Sequence, residues 1–168
     1  MQQSAPTEVP TEEATGDHQV QICAPNVSEI AVCIDILKTG DAVDIGSATR
    51  DLPRAHLIAV VRMQNRIVAV GCIKHERPWY ALRTSRNSGV DFPRDILELG
   101  YVAVHPDHRR KQLSQRLVGA LLARHNRRLF ATTHSDFMKT TLGRAGFVQK
   151  GNEWEGRNKK MLSFWERE

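Results

Sequence analysis

One stretch of the sequence, residues 98–117 (ELGYVAVHPDHRRKQLSQRL), constrains the fold more than any other. The apolar run at residues 96–104 is typical of a buried strand, and Gly100 within it indicates a bulge or a close approach of another group. Pro106 ends this strand, and an apolar stripe that begins at Leu113 predicts a helix. A strand, a short basic loop and a helix therefore follow one another directly.

The rest of the chain predicts further strands and helices around this unit. A capping box formed by Asn26 and Glu29 begins a helix that stops at Gly40. Residues 77–94, which contain Pro and Gly, are predicted to form a long surface loop. The other predicted elements are helices near residues 47–52 and 137–145, and strands at residues 19–23, 57–61, 67–73, 128–133, 147–154 and 161–165. Their order, β-α-(α)-β-β-β-α-β-α-β-β, indicates a mixed α/β sheet rather than a regular βαβ repeat.

At 168 residues the chain has the length of one domain. It contains no apolar run of about 18 residues, so we expect no transmembrane helix, and residues 1–17 lack the basic and apolar regions of a secretory signal. Cys23, Cys33 and Cys72 show no CxxC or Cys/His spacing, which argues against a disulfide framework and against structural zinc. We therefore expect a reduced, cytoplasmic protein.

The net charge of +5 is unevenly distributed along the chain. Four of the 19 acidic residues, but none of the 24 Lys and Arg residues, lie in residues 1–17, so the rest of the chain carries +9. Residues 1–17 are predicted to be a disordered acidic arm, and residues 18–168 a single domain. A basic domain suits polyanionic ligands, either nucleic acid or a phosphorylated cofactor. The alternative is a solvated basic surface.

The basic loop after the buried strand has the features of an anion site. Backbone amides at a helix N-terminus, aided by the helix dipole, bind anions. Arg109, Arg110 and Lys111 add positive charge at this point. The loop therefore suits a pyrophosphate. The alternative is a solvated basic turn before an ordinary helix.

The same stretch resembles the GNAT superfamily of acyl-CoA-dependent N-acyltransferases. VAVHPDHRRKQLSQRL is similar to the family's strand, loop and helix with the pattern Q/R-x-x-G-x-G/A. Arg109 takes the first position, Gln112 stands where the first glycine is expected, and Ser114 takes the second small position. Gln112 is the larger departure, because glycine tolerates a positive φ and lets a ligand approach the backbone. A later block, THSDFMKTTLGRAGFVQKG, also resembles the family, and the resemblance extends over about residues 19–166.

This resemblance implies a single GNAT-like α/β domain. Its sheet would be mixed and mostly antiparallel, with six to seven strands and a splayed central parallel pair, flanked by helices. The implied activity is N-acetyltransfer from acetyl-CoA to a primary amine by direct attack, without a metal. Backbone groups of Val102, Ala103 and Val104 would pair with the pantetheine arm, and an N–H near Val102 would polarise the thioester carbonyl. The residues expected to bind the pyrophosphate are Arg109, Arg110, Lys111, Gln112, Leu113 and Ser114.

Some GNAT enzymes place a general-base glutamate where this chain has Glu98. A partly buried glutamate would have a raised pKa and could relay the proton of the attacking amine through water. The alternative is a surface or edge glutamate held in a salt bridge.

The family's usual proton donor to the leaving thiolate, a tyrosine, corresponds to Leu142 in this chain. A frequent asparagine of the family corresponds to Ser135, which we expect to contact the cofactor. Thr140, Thr141, Ser135 or His134 could donate the proton through water. A thiol pKa of about 8.5 also makes the thiolate a tolerable leaving group without an acid.

Other polar and aromatic clusters border the expected acceptor site. His75-Glu76 and Trp79-Tyr80 would either line an acceptor pocket or anchor a loop through the aromatic rings. Arg157, Lys159 and Lys160 would either bind an acidic acceptor or protect a solvated edge strand.

Two functions from other classes stay open. A non-catalytic GNAT-fold module that binds CoA or a partner would account for Gln112 and Leu142. A nucleic-acid-binding domain would use the basic surface, but the chain lacks a recognition motif, so nucleic acid is not expected as a partner. The amine acceptor, a small molecule or a protein, is not encoded in a motif, because fold does not fix substrate. We expect no membrane partner, and the oligomeric state stays open, with a homodimer as one alternative.

Overall fold

The computed structural model describes residues 17–22, 26–40 and 43–168, in which seven strands form one sheet. The strands are β1 (Gln19–Ile22), β2 (Leu57–Met63), β3 (Arg66–Ile73), β4 (Leu97–Val104), β5 (Leu129–Thr133), β6 (Val148–Glu155) and β7 (Met161–Arg167). The helices are α1 (Val27–Lys38), α2 (Ile45–Asp51), α3 (Pro78–Ser88), α4 (Leu113–Arg124) and α5 (Asp136–Arg144). Short 3₁₀ turns lie at Leu52–Arg54 and Pro106–His108.

The sheet has the order β1-β2-β3-β4-β5-β7-β6, and every neighbouring pair is antiparallel except β4 and β5. The predicted mixed sheet with one central parallel pair is confirmed. The predicted acidic arm lies almost wholly in residues 1–16, outside the described residues, and Cys23 also lies outside them.

The parallel strands β4 and β5 diverge after two residue pairs. They are paired only at Leu97–Leu129 and Glu98–Phe130. On its other side β4 stays paired with β3, but the register shifts there and gives β4 one extra residue. The extra residue is accommodated where Tyr101 adopts a φ of 50°, so the bulge predicted from Gly100 lies one residue further along. The splayed pair expected from the sequence is therefore present, and a bulge accompanies it.

The prediction of a long loop at residues 77–94 is wrong, because most of this segment is helix α3. Pro78 occupies its first turn, where a missing N–H is tolerated, and Gly89 ends it with a φ of 72°. The buried positions are Ala81, Thr84, Ser85 and Ser88, which have helical spacing. Since three of these four side chains are polar, a search for an apolar period does not detect the helix.

Both faces of the sheet are covered by helices. Helices α4 and α5 pack on one face through residues such as Leu117, Leu121 and Leu142. Helices α1 and α2 cover the other face over β2 and β3, where Cys33 and Cys72 are buried core residues. Helix α3 lies on that second face over β6 and β7, in contact with Phe130 of β5 and Phe164 of β7. The diverging ends of β4 and β5 thus open between the two helical layers.

Candidate active site

A cleft with a volume of about 1150 Å³ opens where β4 and β5 diverge. It contains Glu98 and nine of the ten residues that the sequence predicted as cofactor contacts. These nine are Val102, Ala103, Val104, Arg109, Arg110, Gln112, Leu113, Ser114 and Ser135. The tenth, Lys111, is exposed and does not line the cleft. The fold therefore brings together strand, loop and helix positions that are separated by up to 37 residues in the chain, from Glu98 to Ser135.

The β4 wall of the cleft offers backbone groups to a ligand. Ala103 and Val104 pair with Val70 and Ala69 of β3 on one side. On the other side β5 diverges from β4, so the β4 backbone after Glu98 has no strand paired to it on that side among the described residues. Unpaired backbone polar groups require partners, and an extended ligand can supply them as an added strand does.

The loop between β4 and α4 presents backbone N–H groups at a helix start. Within the described chain, the amides of residues 110–113 donate no hydrogen bond. Arg110 and Gln112 have φ values of 63° and 57°, so the positive φ expected at the glycine position is adopted by Gln112. Left-handed backbone costs a non-glycine residue about 1–2 kcal/mol. The loop therefore keeps the shape of an anion site even though glutamine replaces glycine.

Arg109 holds the loop in place, because part of its guanidinium donates to backbone carbonyls of the protein. Its Nε donates to the carbonyl of Val104 at 3.3 Å, and its Nη2 donates to the carbonyl of Thr39 at 3.4 Å. These bonds join the end of β4 to the end of α1. Arg110 is exposed and has no side-chain partner among the described residues, so its guanidinium is available to a ligand.

Glu98 is buried between two cations. Lys74 Nζ donates to Glu98 Oε1 at 2.9 Å, and Arg77 Nη2 donates to Glu98 Oε2 at 2.6 Å. Burial alone would raise the pKa of Glu98, but the charges and hydrogen bonds of Lys74 and Arg77 outweigh it and hold the pKa below its ordinary value. The expected raised pKa is therefore wrong, because the sequence did not reveal that two cations are buried beside the carboxylate. Glu98 is also neither at the surface nor on an edge strand.

Gly100 lets Lys74 reach Glu98. A Cβ atom at Gly100 would lie 2.5 Å from Lys74 Cε and 2.9 Å from Lys74 Nζ. The lysine ammonium also lies 4.0 Å from the ring centroid of Tyr101. The sequence predicted a close approach at this glycine. The approaching group is the side chain of Lys74, the residue that follows β3.

Asp51 is a member of this charged network that the sequence analysis missed. It is buried at the end of α2, accepts a hydrogen bond from Tyr101 Oη at 3.3 Å, and lies 3.7 Å from Arg77 Nη1. Asp51 belongs to no motif, and 50 residues separate it from Tyr101. No local sequence signal could have found it.

The two dipeptides considered as acceptor-site candidates lie in different places. Trp79 and Tyr80 line the cleft from α3, with Trp79 largely exposed. Tyr80 Oη is 2.8 Å from Thr132 Oγ1, and burial raises the pKa of Tyr80 to about 12. His75 and Glu76 instead lie in a separate groove at the other end of the sheet.

The last hairpin also borders the cleft. Arg157 and Lys160 line it, whereas Lys159 does not. Arg157 forms an ion pair with Asp44, at the start of α2, so the hairpin and the α1–α2 connection meet across the cleft.

The candidate proton donors differ in their availability. Thr140 and Thr141 donate to helix carbonyls, and the Ser135 hydroxyl accepts from the amide of Met138 as a helix cap. Leu142 is fully buried. His134 lines the cleft, and its Nε2 is buried without a hydrogen-bond partner among the described residues.

A sequence model of the acetyltransferase (GNAT) family matches residues 36–141, which is more than half of the chain. The chain belongs to this family. The match runs from the end of α1 into α5 and so includes Glu98, the loop between β4 and α4, and most of the residues that line the cleft. No curated protein sequence matches the chain.

Solved structures share the fold at low sequence identity. A GNAT acetyltransferase from Streptococcus agalactiae is 12% identical, with a TM-score of 0.68 over 88% of this chain and 94% of that chain. The ribosomal-protein-S18-alanine N-acetyltransferase from Escherichia coli is 13% identical, with a TM-score of 0.62 over 89% and 93%. A ribosomal L7/L12 alpha-N-protein acetyltransferase in complex with coenzyme A is 9% identical, with a TM-score of 0.62 over 88% and 93%.

The described residues form neither a membrane-spanning helix nor a cluster of metal ligands. None of their helices is both long enough and apolar enough to span a bilayer. No group of three or more His, Cys, Asp or Glu residues among them is placed to hold a metal ion.

Proposed function

We propose that this GNAT protein transfers the acetyl group of acetyl-CoA to a primary amine by direct attack. The observation that carries the proposal is the juxtaposition of two binding surfaces in one cleft. The unpaired edge of β4 suits the extended pantetheine arm, and the amides of residues 110–113 at the start of α4 suit the diphosphate. The solved relative in complex with coenzyme A supports the same choice of donor.

The β4 edge would also orient the thioester. Val102 follows the bulge at Tyr101, which turns the backbone at this point towards the cleft. A Val102 N–H directed at the acetyl carbonyl would stabilise the negative charge that develops on its oxygen. Arg110 would add a charge-assisted bond to the phosphates.

Glu98 is the proposed base. An alkyl ammonium has a pKa of about 10.4 and must lose a proton before its nitrogen attacks. Because the pKa of Glu98 is held low, the carboxylate is ionised at neutral pH and can accept this proton through water. The same low pKa makes it a weak base, so its contribution should lie near the lower end of the usual range.

His134 is the proposed proton donor to the leaving thiolate. It takes this role because Leu142 has no proton to give, the Thr140 and Thr141 hydroxyls donate to helix carbonyls, and the Ser135 hydroxyl is held as the cap of α5, whereas His134 Nε2 has no partner among the described residues. His134→Gln should lower kcat by about tenfold or more at unchanged acetyl-CoA affinity. Thr140→Ala, whose hydroxyl does not line the cleft, is the control and should keep the wild-type kcat. Equal kcat in both variants would contradict the assignment.

Cofactor binding is tested by thermal shift and calorimetry. Acetyl-CoA should raise the Tm of the wild type by mass action. Arg110→Glu should weaken binding by about tenfold or more, since it removes a charge-assisted phosphate contact. Arg86→Glu makes the same charge change on the exposed side of α3, outside the cleft, and should bind as the wild type. No shift at millimolar acetyl-CoA would contradict the proposed donor.

Turnover separates an enzyme from a binding module. Wild-type protein incubated with acetyl-CoA and a panel of small and peptide amines should release CoA and form acetylated amines, as measured by mass spectrometry. A protein that binds acetyl-CoA but acetylates none of them would favour the non-catalytic alternative. We place this activity in the cytoplasm, where acetyl-CoA is present and a buried thiol such as that of Cys72 stays reduced.

A further inference from the structure

A second concave surface lies at the end of the sheet opposite the cleft. We call it the basic groove. It has a volume of about 970 Å³ and is lined by four arginines, three histidines, two carboxylates and the apolar side chains of Ile96 and Leu97. Leu97 begins β4 and Arg124 ends α4, whereas the cleft lies at the end of β4 and the start of α4. The two surfaces can therefore hold separate ligands.

Four arginines and two carboxylates line the basic groove, and two of the four arginines form no ion pair among the described residues. Arg54 lies 3.8 Å from Asp51, and Arg128 pairs with Glu166. Arg124 and Arg127, in contrast, form no ion pair with a carboxylate among the described residues. Guanidinium groups present paired N–H donors that match the oxygens of a phosphate. Two arginines that line the same groove without an ion-pair partner thus provide donors for an anion.

Three histidine side chains line the groove beside the arginines. The rings of His56 and His125 lie edge to face with centroids 5.3 Å apart. Burial, His56 and Arg127 together lower the pKa of His125. His75 Nδ1 is buried without a partner among the described residues. A bound anion would offset the repulsion from His56 and Arg127, so its binding would be accompanied by proton uptake.

We propose that the basic groove binds a phosphate-bearing small molecule independently of the cleft. The observations exclude the main alternatives in turn. The three histidines are not placed to hold a metal ion within the described residues. None of the described residues that line the groove is Phe, Tyr or Trp, so they offer phosphate contacts without the aromatic platforms on which nucleic-acid bases stack. Its volume is that of a small-molecule site.

Calorimetry with inorganic pyrophosphate tests the proposal. The full chain, the Arg110→Glu variant and the Arg124→Gln/Arg127→Gln variant are titrated, because pyrophosphate also suits the loop of the cleft. The Arg124→Gln/Arg127→Gln variant should lose pyrophosphate binding at the groove, or bind it there more weakly by about tenfold or more for each arginine. The Arg110→Glu variant should keep this binding at the groove. An Arg86→Gln/Arg144→Gln variant carries the same charge change outside both surfaces and should bind as the wild type.

Two results would overturn the proposal. One is equal pyrophosphate binding by the wild type and the Arg124→Gln/Arg127→Gln variant, with both folded by Tm. The other is arginine-dependent binding of a short single-stranded RNA with no binding of pyrophosphate, which would assign the groove to nucleic acid. Because the cleft variant is measured separately, neither result depends on the proposed acetyltransferase activity.

Sulfate tests the proton uptake, since its charge is constant between about pH 5.5 and pH 8. Wild-type affinity for sulfate should rise as the pH falls, and His125→Gln should flatten this dependence. The other charged and titratable groups that line the groove with His125 are Arg54, His56, His75, Glu76, Asp95, Arg124, Arg127 and Arg128. If the affinity of the wild type for sulfate does not change with pH, the proposed role of His125 in the site is contradicted.

Discussion

Two glutamates of the sheet, Glu98 and Glu166, are both paired with cations, but in different surroundings. Both are buried, and each accepts from two cations: Lys74 and Arg77 for Glu98, and Arg128 and Lys150 for Glu166. They share one row of the sheet, because both are paired in register with Phe130 of β5.

The difference lies in what surrounds the pairs. The cation side chains beside Glu98 are 9% and 13% exposed, whereas those beside Glu166 are 36% and 39% exposed. Only Glu98 lines the cleft. Burying a charge is costly unless it is paired. Glu98, Lys74 and Arg77 have little solvent around them, so water would not compensate for the loss of one partner. The comparison shows that a paired buried carboxylate is not by itself a sign of function; its position beside an open cleft is the additional evidence.

The largest contrast is expected from removing one cation of each pair. Lys74→Met should lower the free energy of unfolding by about 3 kcal/mol, the lower end of the cost of breaking a buried ion pair, since Arg77 remains. Lys150→Met should cost at most about 1 kcal/mol, because its side chain is partly solvated and Arg128 remains. Urea unfolding of the two variants measures the difference. Equal losses would remove the distinction between the two groups.

The second contrast is in catalysis. Glu98→Gln should lower kcat by about 10²-fold while acetyl-CoA affinity is kept, because the base is lost and the binding surfaces are not. Glu166→Gln is the matched control: an equally buried glutamate with two cations, outside the cleft, whose loss should leave kcat within about twofold. Steady-state kinetics and calorimetry on both variants provide the measurement. Unchanged kcat in Glu98→Gln would make Glu98 a structural residue.

A third experiment disturbs the Glu98 group through the backbone. Gly100→Ala should displace Lys74, because the added Cβ would lie 2.5 Å from Lys74 Cε. The expected loss is about 1–3 kcal/mol, as for other overpacked sites. Gly119→Ala, in α4, meets no atom within 4 Å and should be neutral or stabilising by up to about 1 kcal/mol. Equal Tm values for the two variants would show that Lys74 relaxes without cost.

The smallest expected effect is the change in the free energy of unfolding at acidic pH. The folded pKa of Glu98 lies below its ordinary value, so the stability it contributes is complete above the unfolded pKa and is lost as the pH falls through the folded pKa. The difference in unfolding free energy between wild type and Glu98→Gln should therefore be constant from pH 7 to about pH 5 and should shrink below about pH 4.5. A difference that grows below this pH would require a raised pKa and would contradict the ion-pair geometry. Urea titrations at each pH measure it.

The sequence by itself determined the local architecture around the cleft. The apolar run of β4, the stop at Pro106 and the stripe beginning at Leu113 depend on neighbouring residues, and the structure has these elements where they were predicted. The positive φ at Gln112 was expected only from the family resemblance, which places a glycine at this position. Helix α3 was missed because small and polar side chains occupy its buried face.

Only the tertiary structure decided the charge state of the site. Whether Glu98 has a raised or a lowered pKa depends on the balance between burial and the cations that fold against it. Lys74 and Arg77 reach it from beyond the end of β3, and Asp51 completes the network from α2. The basic groove arises in the same way, because His56, His75 and His125 come together only when three chain segments meet at one end of the sheet. Charges interact through space, so a linear sequence specifies which charges are present but not which of them are neighbours.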